Sequence, residues 1–389
     1  MVLAIAIELS MVIAFGVLML APRWRLVAFT PTTDRGVAFL PEAWSPDAGA
    51  LITGTPGRFV VLGSNGSVLQ GPDPGWSPVW INDRNLMILN KEWDRSTYDL
   101  VRMEAGGGHR ETIGQPLGQG HLIADGRGHV AYQSDDAPVD TTVLDVSDGN
   151  VLAKLDGHGA VTWTGDGALI VKRPEPRLGG YTTNPGSLWL WRPGEAPNPL
   201  GPDLVDMGNV APLSPTGDAL ACICTVVPAT PEAAVESPPR AIYLVPLDGS
   251  PRMYLAPWPT QGGASPEITW IDETSLAVVG DDGIWRISAS GGSRPIPGLA
   301  AADLGFGTMV GRVYSLRGQT VAVLQELAGG VESLLVVIDP QDGIRMRQWF
   351  PGNMPAVTVD PAQERAVVSV ERQRPEGPSL WDILSLELR

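Results

Sequence analysis

One pattern recurs along this 389-residue chain, and it leaves room for little besides an all-β array. Past residue 35 an apolar stretch leads into a tight polar turn and a Val/Leu/Ile-rich strand. A variable loop, another strand, a Gly/Asp turn and a fourth short strand follow. The first turn appears as WSPDAGALI from Trp44, VWINDRNLMIL from Val79, LIADGRGHVAY from Leu122 and VTWTGDGALIV from Val161. It returns as APLSPTGDALACI from Ala211, ITWIDETSLAVV from Ile268, RVYSLRGQTVAVL from Arg312 and AVTVDPAQERAVV from Ala356. Such a period suits one four-stranded unit per repeat.

The second turn recurs as LGSNGSVL, VRMEAGGGHRETI, LDVSDGNVL, WRPGEAPNPL, VPLDGSPRMYL, ISASGGSRPI and IDPQDGIRM. Asn-Gly and Asp-Gly steps are hairpin chemistry, because the turn needs positive φ. Short strands at regular spacing close best as a radial ring, which leaves few open edges. The reading is an all-β, eight-bladed β-propeller, with seven blades as the alternative. The last repeat ends with SLWDILSLEL and is one strand short of a blade. RLVAFT (Arg25 to Thr30) or GVAFL (Gly36 to Leu40) can supply that strand, so residues 23–389 form a propeller closed by its N-terminal strand.

WSPDAGAL, LSPTGDAL and WTGDGAL resemble the W-S-P-D-G-x-x-L signature of WD40-like repeats, as in TolB-like propellers and the propellers of prolyl-oligopeptidase relatives. LDGHGAVTWTGDGALIV followed by SLWLWRP is the most WD40-like blade, with its Gly-His and its Leu-Trp pair. The resemblance covers residues 36 to 389 and implies architecture only. Neither the α/β domain of TolB nor a peptidase domain has a counterpart here.

Ahead of the repeats, Val2 to Ala21 reads VLAIAIELSMVIAFGVLMLA, with Glu8 its one charge. About twenty apolar residues at ~1.5 Å each span a ~30 Å hydrocarbon core. Residues 1–22 are therefore expected to be a single transmembrane anchor. A cleaved signal peptide is the competing reading, opposed by the missing basic n-region and the length of the run. Glu8 would cost on the order of 2.5–3.5 kcal/mol at mid-membrane. Ser10 and Ala14, with Ala6, form a small-residue stripe that lets another helix approach. These residues point to a membrane partner. Arg23 and Arg25 favour a cytoplasmic head by the positive-inside rule, whereas the TolB-like resemblance implies an extracytoplasmic one. The reading adopted is extracytoplasmic, with cytoplasmic as the alternative.

The formal net charge of −16 argues against nucleic acid as a partner, since that affinity comes from phosphate neutralisation. Cys222 and Cys224 lie at i, i+2 in a strand-like run and are expected to be buried free thiols. There is no G-x-S-x-G elbow, H-E-x-x-H, P-loop or EF-hand loop, so no catalytic residue and no cofactor is assigned. His121 and His158 open neighbouring blades and are the weak candidates for half of a metal or acid–base site; a hydrogen bond within the repeat is the plainer role for His158. Most tryptophans, among them Trp44, Trp80, Trp163, Trp189, Trp270 and Trp285, read as packing.

Loop length carries the functional signal. Turns between strands one and two, and three and four, are short. Loops on the opposite face include NKEWDRST with Trp93, RPEPRLGGYTTNPG with Tyr181, VVPATPEAAVESPPR and ERQRPEGPS. Long loops gathered on one side of a compact fold mark a binding face. The expectation is a non-enzymatic, membrane-anchored scaffold or accessory subunit of a membrane or envelope complex. A lyase or hydrolase with a channel-mouth site, and a small-ligand or glycan binder using Trp93 and Tyr181, are the alternatives.

Overall fold

The computed structural model describes residues 24–28, 40–55, 57–91, 96–135, 139–174, 186–201, 204–206, 212–226, 240–258, 268–326, 332–339, 341, 343–351, 355–372 and 380–388. The proposed anchor lies outside the described residues. Among those described, no helix is long and apolar enough to cross a membrane.

After β1 (Trp24–Ala28) the chain forms successive antiparallel meanders. The first unit is β2 (Leu40–Trp44), β3 (Ala50–Thr55), β4 (Arg58–Gly63) and β5 (Val68–Pro74). The second is β6 (Trp76–Trp80), β7 (Asn85–Lys91), β8 (Tyr98–Glu104) and β9 (Arg110–Leu117). A third holds β10 (Gly120–Ala124), β11 (His129–Ser134), β12 (Thr141–Asp145) and β13 (Val151–Leu155). The fourth comprises β14 (Gly159–Trp163), β15 (Leu169–Pro174), β16 (Gly186–Trp191) and β17 (Asn198–Leu200). The fifth runs through β18 (Leu204–Asp206), β19 (Ala219–Val226), β20 (Ala241–Pro246) and β21 (Met253–Pro257). The sixth has β22 (Ile268–Asp272), β23 (Ser275–Gly280), β24 (Gly283–Ser288) and β25 (Ser293–Ala300), then the one-turn helix α1 (Ala301–Leu304). The seventh is β26 (Met309–Leu316), β27 (Gln319–Glu326), β28 (Glu332–Ile338) and β29 (Ile344–Pro351). The last contributes β30 (Ala356–Val359), β31 (Ala366–Arg372) and β32 (Leu380–Leu388).

Hydrogen bonding groups the described strands into seven sheets, six of four strands and one of eight. The large sheet is β14–β21; its two meanders meet through one bridge, Gly186 opposite Asp206. β1 is the fourth strand of the last sheet, pairing with β32 from Trp24 opposite Leu388 to Ala28 opposite Leu384. First strands touch between the first and second, second and third, third and fourth, sixth and seventh, and seventh and last units, and β2 meets β30 across the join between chain ends. The fold is an all-β propeller.

Apolar side chains explain the stacking. Inner strands such as β4, β7 and β28 are buried along nearly their whole length, while outer strands such as β9 and β29 are largely exposed. Buried residues form eight clusters, each shared by two successive units. The cluster joining Trp44, Leu51, Val60 and Leu62 to Val367 and Ile383 closes the ring. Burying such faces, at roughly 25 cal/mol per Å² of apolar surface, is the main force holding the units together.

Two polar devices fix the geometry. In the first turn Ser45 donates to Asp47, and the Gly49 N–H donates to the same carboxylate at 2.8 Å. Thr164 with Asp166, and Ser214 with Asp218, repeat the arrangement. The second device is the signature tryptophan, whose indole N–H reaches a carbonyl of the preceding unit. Trp80 donates to Ala43 O (3.1 Å), Trp163 to Ile123 O (2.9 Å) and Trp270 to Pro212 O (3.2 Å). The seventh unit substitutes Ser315, which donates to Ile271 O at 3.1 Å.

The cysteines depart from expectation. Cys222 and Cys224 are fully buried but are joined in a disulfide, with a Cα–Cα distance of 5.5 Å. The i, i+2 spacing that turns both side chains to one face of β19 also brings them within bonding range.

Candidate functional site

Glu8, Ser10, Ala14, Trp93 and Tyr181 all lie outside the described residues. So does most of the chain in the four long loops. The described strand ends flanking those loops, where Lys91 pairs with Tyr98, Pro174 with Gly186, Cys224 with Ala241 and Arg372 with Leu380, lie at the end opposite the hairpin turns.

His121 stands on β10 opposite Gln133 of β11. Its side chain is 69% exposed and its Nε2 lies 3.3 Å from Asp135 Oδ1. His158 precedes β14 and is held by its own repeat. Its Nδ1 lies 2.8 Å from the Asp156 carbonyl, an acceptor, so Nδ1 carries the proton. The ring stands edge-on to Trp189 at 5.5 Å, and Thr141 donates to its carbonyl at 2.7 Å. Gln133 and Thr141, paired across β11 and β12, intervene between the two histidines. Among the described residues no group of three or more His, Cys, Asp or Glu side chains is placed to hold a metal ion.

His129 has a tighter environment than either. Its Nδ1 lies 2.7 Å from Asp125 Oδ2, and its ring stacks on Trp163 at 6.0 Å. Asp125 also accepts the N–H groups of Arg127, Gly128 and His129, so its buried carboxylate closes the turn. Three first-turn carboxylates are held low. Asp47 lies below the usual range because Ser45 donates to it, and Asp166 because Thr164 does. Asp218 is lowered by Thr216 and then Ser214. These acids stay ionised at neutral pH and serve the backbone.

A cleft of about 390 Å³ opens at the seam on the short-turn face. Trp44, Asn65, Arg317, Glu364, Arg365 and Glu387 are among its lining. Arg317, with φ +51°, donates through Nε to the Glu364 carbonyl at 2.8 Å. Arg25 pairs with Glu387 at 3.5 Å. The cleft exists because β32 ends here and β1 begins here, so no hairpin joins the third and fourth strands. It offers charges of both signs but neither imidazole nor thiol. Sequence reasoning did not name it, although eight first turns against seven second turns was its signal.

No protein-family model matches the chain, and no curated protein matches its sequence. Solved structures do match in shape. The crystal structure of a eukaryotic initiation factor superposes with a TM-score of 0.54 at 11% identity, covering 93% of this chain and 92% of that one. The dihydro-heme d1 dehydrogenase NirN, in complex with DHE, gives 0.55 at 13% identity, covering 94% and 78%. The β-propeller domain of the trilobed protease from Pyrococcus furiosus gives 0.43 at 10% identity, covering 77% and 93%. At these identities the first two likenesses define the class by fold alone, a β-propeller.

Proposed function

We propose that this chain is a non-enzymatic, membrane-anchored propeller of eight blades that scaffolds a membrane or envelope complex. The observation that carries the reading is the junction at Trp24. The apolar run Val2–Ala21 is separated from the first strand of the ring by Pro22 and Arg23 alone. A head tethered so closely, with its long loops gathered at one end, is built to present a surface at a fixed place. The eight-blade count is supported by the eight inter-unit clusters and by the single bridge that joins the two halves of the β14–β21 sheet.

Extracytoplasmic placement is favoured by two details. Disulfides such as Cys222–Cys224 persist mainly in oxidising compartments. Arg25 belongs to β1 and is paired with Glu387, so its charge is part of the ring rather than a free flank of the apolar run.

The test is purification of the tagged full chain from native membranes in mild detergent. The chain should bring down a fixed set of membrane subunits in stoichiometric amounts. Trimming residues 175–185 and 227–239 to short Gly-Ser turns should release them. Recovery of the intact chain only as a monomer, at every detergent strength, contradicts the scaffold reading.

A further inference from the structure

The junction that supports anchoring also fixes which face of the ring is next to the bilayer. β32 runs toward the short-turn end, where Leu386 pairs with Ala366 beside the Asp360–Arg365 turn. Trp24 sits opposite Leu388 at that end. From Ala21 to Trp24 there are three Cα steps, at most about 11 Å. The long-loop end lies farther off by roughly a strand length, about 17–20 Å.

A second observation concerns the rim of the same face. Large apolar side chains stand exposed in pairs at the start of the outer strand in alternate units. They are Val68 and Leu69 (61% and 45%), Val151 and Leu152 (53% and 47%), and Met253 and Tyr254 (41% and 54%). In the first two pairs a register shift inserts the second residue as a bulge, and both side chains face outward. The fifth unit carries its bulge one position later, at Leu255. The equivalent positions are polar in the second and sixth units, Arg110–Glu111 and Ser293–Arg294, and mixed in the seventh, Ile344–Arg345. Exposed apolar pairs at one level around a ring are unusual on a surface that meets only water.

Resting on the anchored reading above, we infer that the short-turn face lies on the membrane. The three apolar pairs touch the lipid–water interface, and the long-loop face points away from the bilayer. Apolar side chains flanking an anchor add affinity by burying area among headgroups. The face also carries ionised turn carboxylates, among them Asp47, Asp145, Asp218 and Asp248. Arg84, Arg127, Arg317 and Arg365 share the face, but the turn acids outnumber them, so it suits zwitterionic headgroups better than anionic ones.

The experiment uses the full chain in phosphatidylcholine vesicles carrying a headgroup nitroxide quencher. A fluorophore is attached at L69C, V151C or, on the opposite face, H121C. Quenching should be at least threefold stronger at the first two sites than at the third. It should weaken at V151C when Val68 and Leu69 are changed to Ser, and when phosphatidylglycerol replaces half of the lipid at low salt. Equal quenching at all sites, or stronger quenching at H121C, in vesicles that float with the protein overturns this orientation and leaves anchoring intact. Failure of the intact chain to float with vesicles overturns anchoring, and this inference with it. Floating protein whose rim stays unquenched in pure lipid assigns the apolar pairs to a protein neighbour and also overturns the proposal.

Discussion

Lys172 and Asp206 form a buried ion pair, and breaking it should be costly. The ammonium lies 3.0 Å from Asp206 Oδ2, with side-chain exposures of 15% and 2%. The pair ties β15 of the fourth unit to β18 of the fifth, beside the Gly186–Asp206 bridge. An exposed pair is worth about 0–1 kcal/mol. Removing one partner of a buried pair costs about 3–5 kcal/mol, because a desolvated charge loses its counter-ion. Lys172→Met keeps most of the side-chain volume and removes the charge and its hydrogen bond, so a loss of roughly 2–3 kcal/mol is expected. Against a typical net stability of about 5–15 kcal/mol this is a large fraction. Lys172→Met with Asp206→Asn removes both charges and should recover at least half of the loss. The assay is urea unfolding followed by tryptophan fluorescence, to which Trp189 and Trp191 on neighbouring β16 contribute. A single-variant cost under about 1 kcal/mol would refute the reasoning, and so would a double variant no more stable than the single.

Acid should loosen the ring through its turns. Asp47, Asp166 and Asp218 have folded pKa values below their unfolded ones. Their contribution is therefore complete above the usual carboxylate pKa of about 3.9 and is lost as pH falls through the lower folded values. Melting temperatures between pH 5 and pH 2.5 should drop, and less steeply in the triple Asp→Asn variant; an unchanged slope would dismiss these turns as the cause. Trp163→Phe removes the indole N–H from the Ile123 carbonyl and part of a buried ring, so it should cost about 2 kcal/mol in urea unfolding. Deleting Trp24 to Ala28 exposes the edge of β32 and should broaden thermal unfolding. A deletion that melts as sharply as the intact chain would show that β1 is dispensable for closure.

Much of the ring was legible because its causes are local. The Ser/Thr and Asp of the first turn, the Gly of the second and the Val/Leu/Ile runs are each read within ten residues. The signature tryptophans were legible as packing, but their carbonyl partners were not. Trp80 and Ala43 lie in different repeats, and only stacking brings them together. The seam cleft was hidden for the same reason, since Trp44 and Glu387 become neighbours only on closure. The disulfide was missed because i, i+2 spacing shows a shared face without showing the oxidation state. The apolar pairs were invisible because a bulge defeats simple alternation. Leu69 and Leu152 are the bulged residues, and alternation alone does not place them.

Alkaline carbonate extraction decides whether residues 2–21 hold this propeller in a membrane. The quantity is the fraction of the chain left in the membrane pellet after a wash at about pH 11, which strips peripheral proteins but not inserted helices. The full chain should remain in the pellet with residues 1–22 still attached, as its intact mass will show. A chain beginning at Trp24 should be released, because six rim residues alone cannot survive the wash. Release of the full chain into the supernatant, or a pelleted chain that begins after residue 21, would contradict the account.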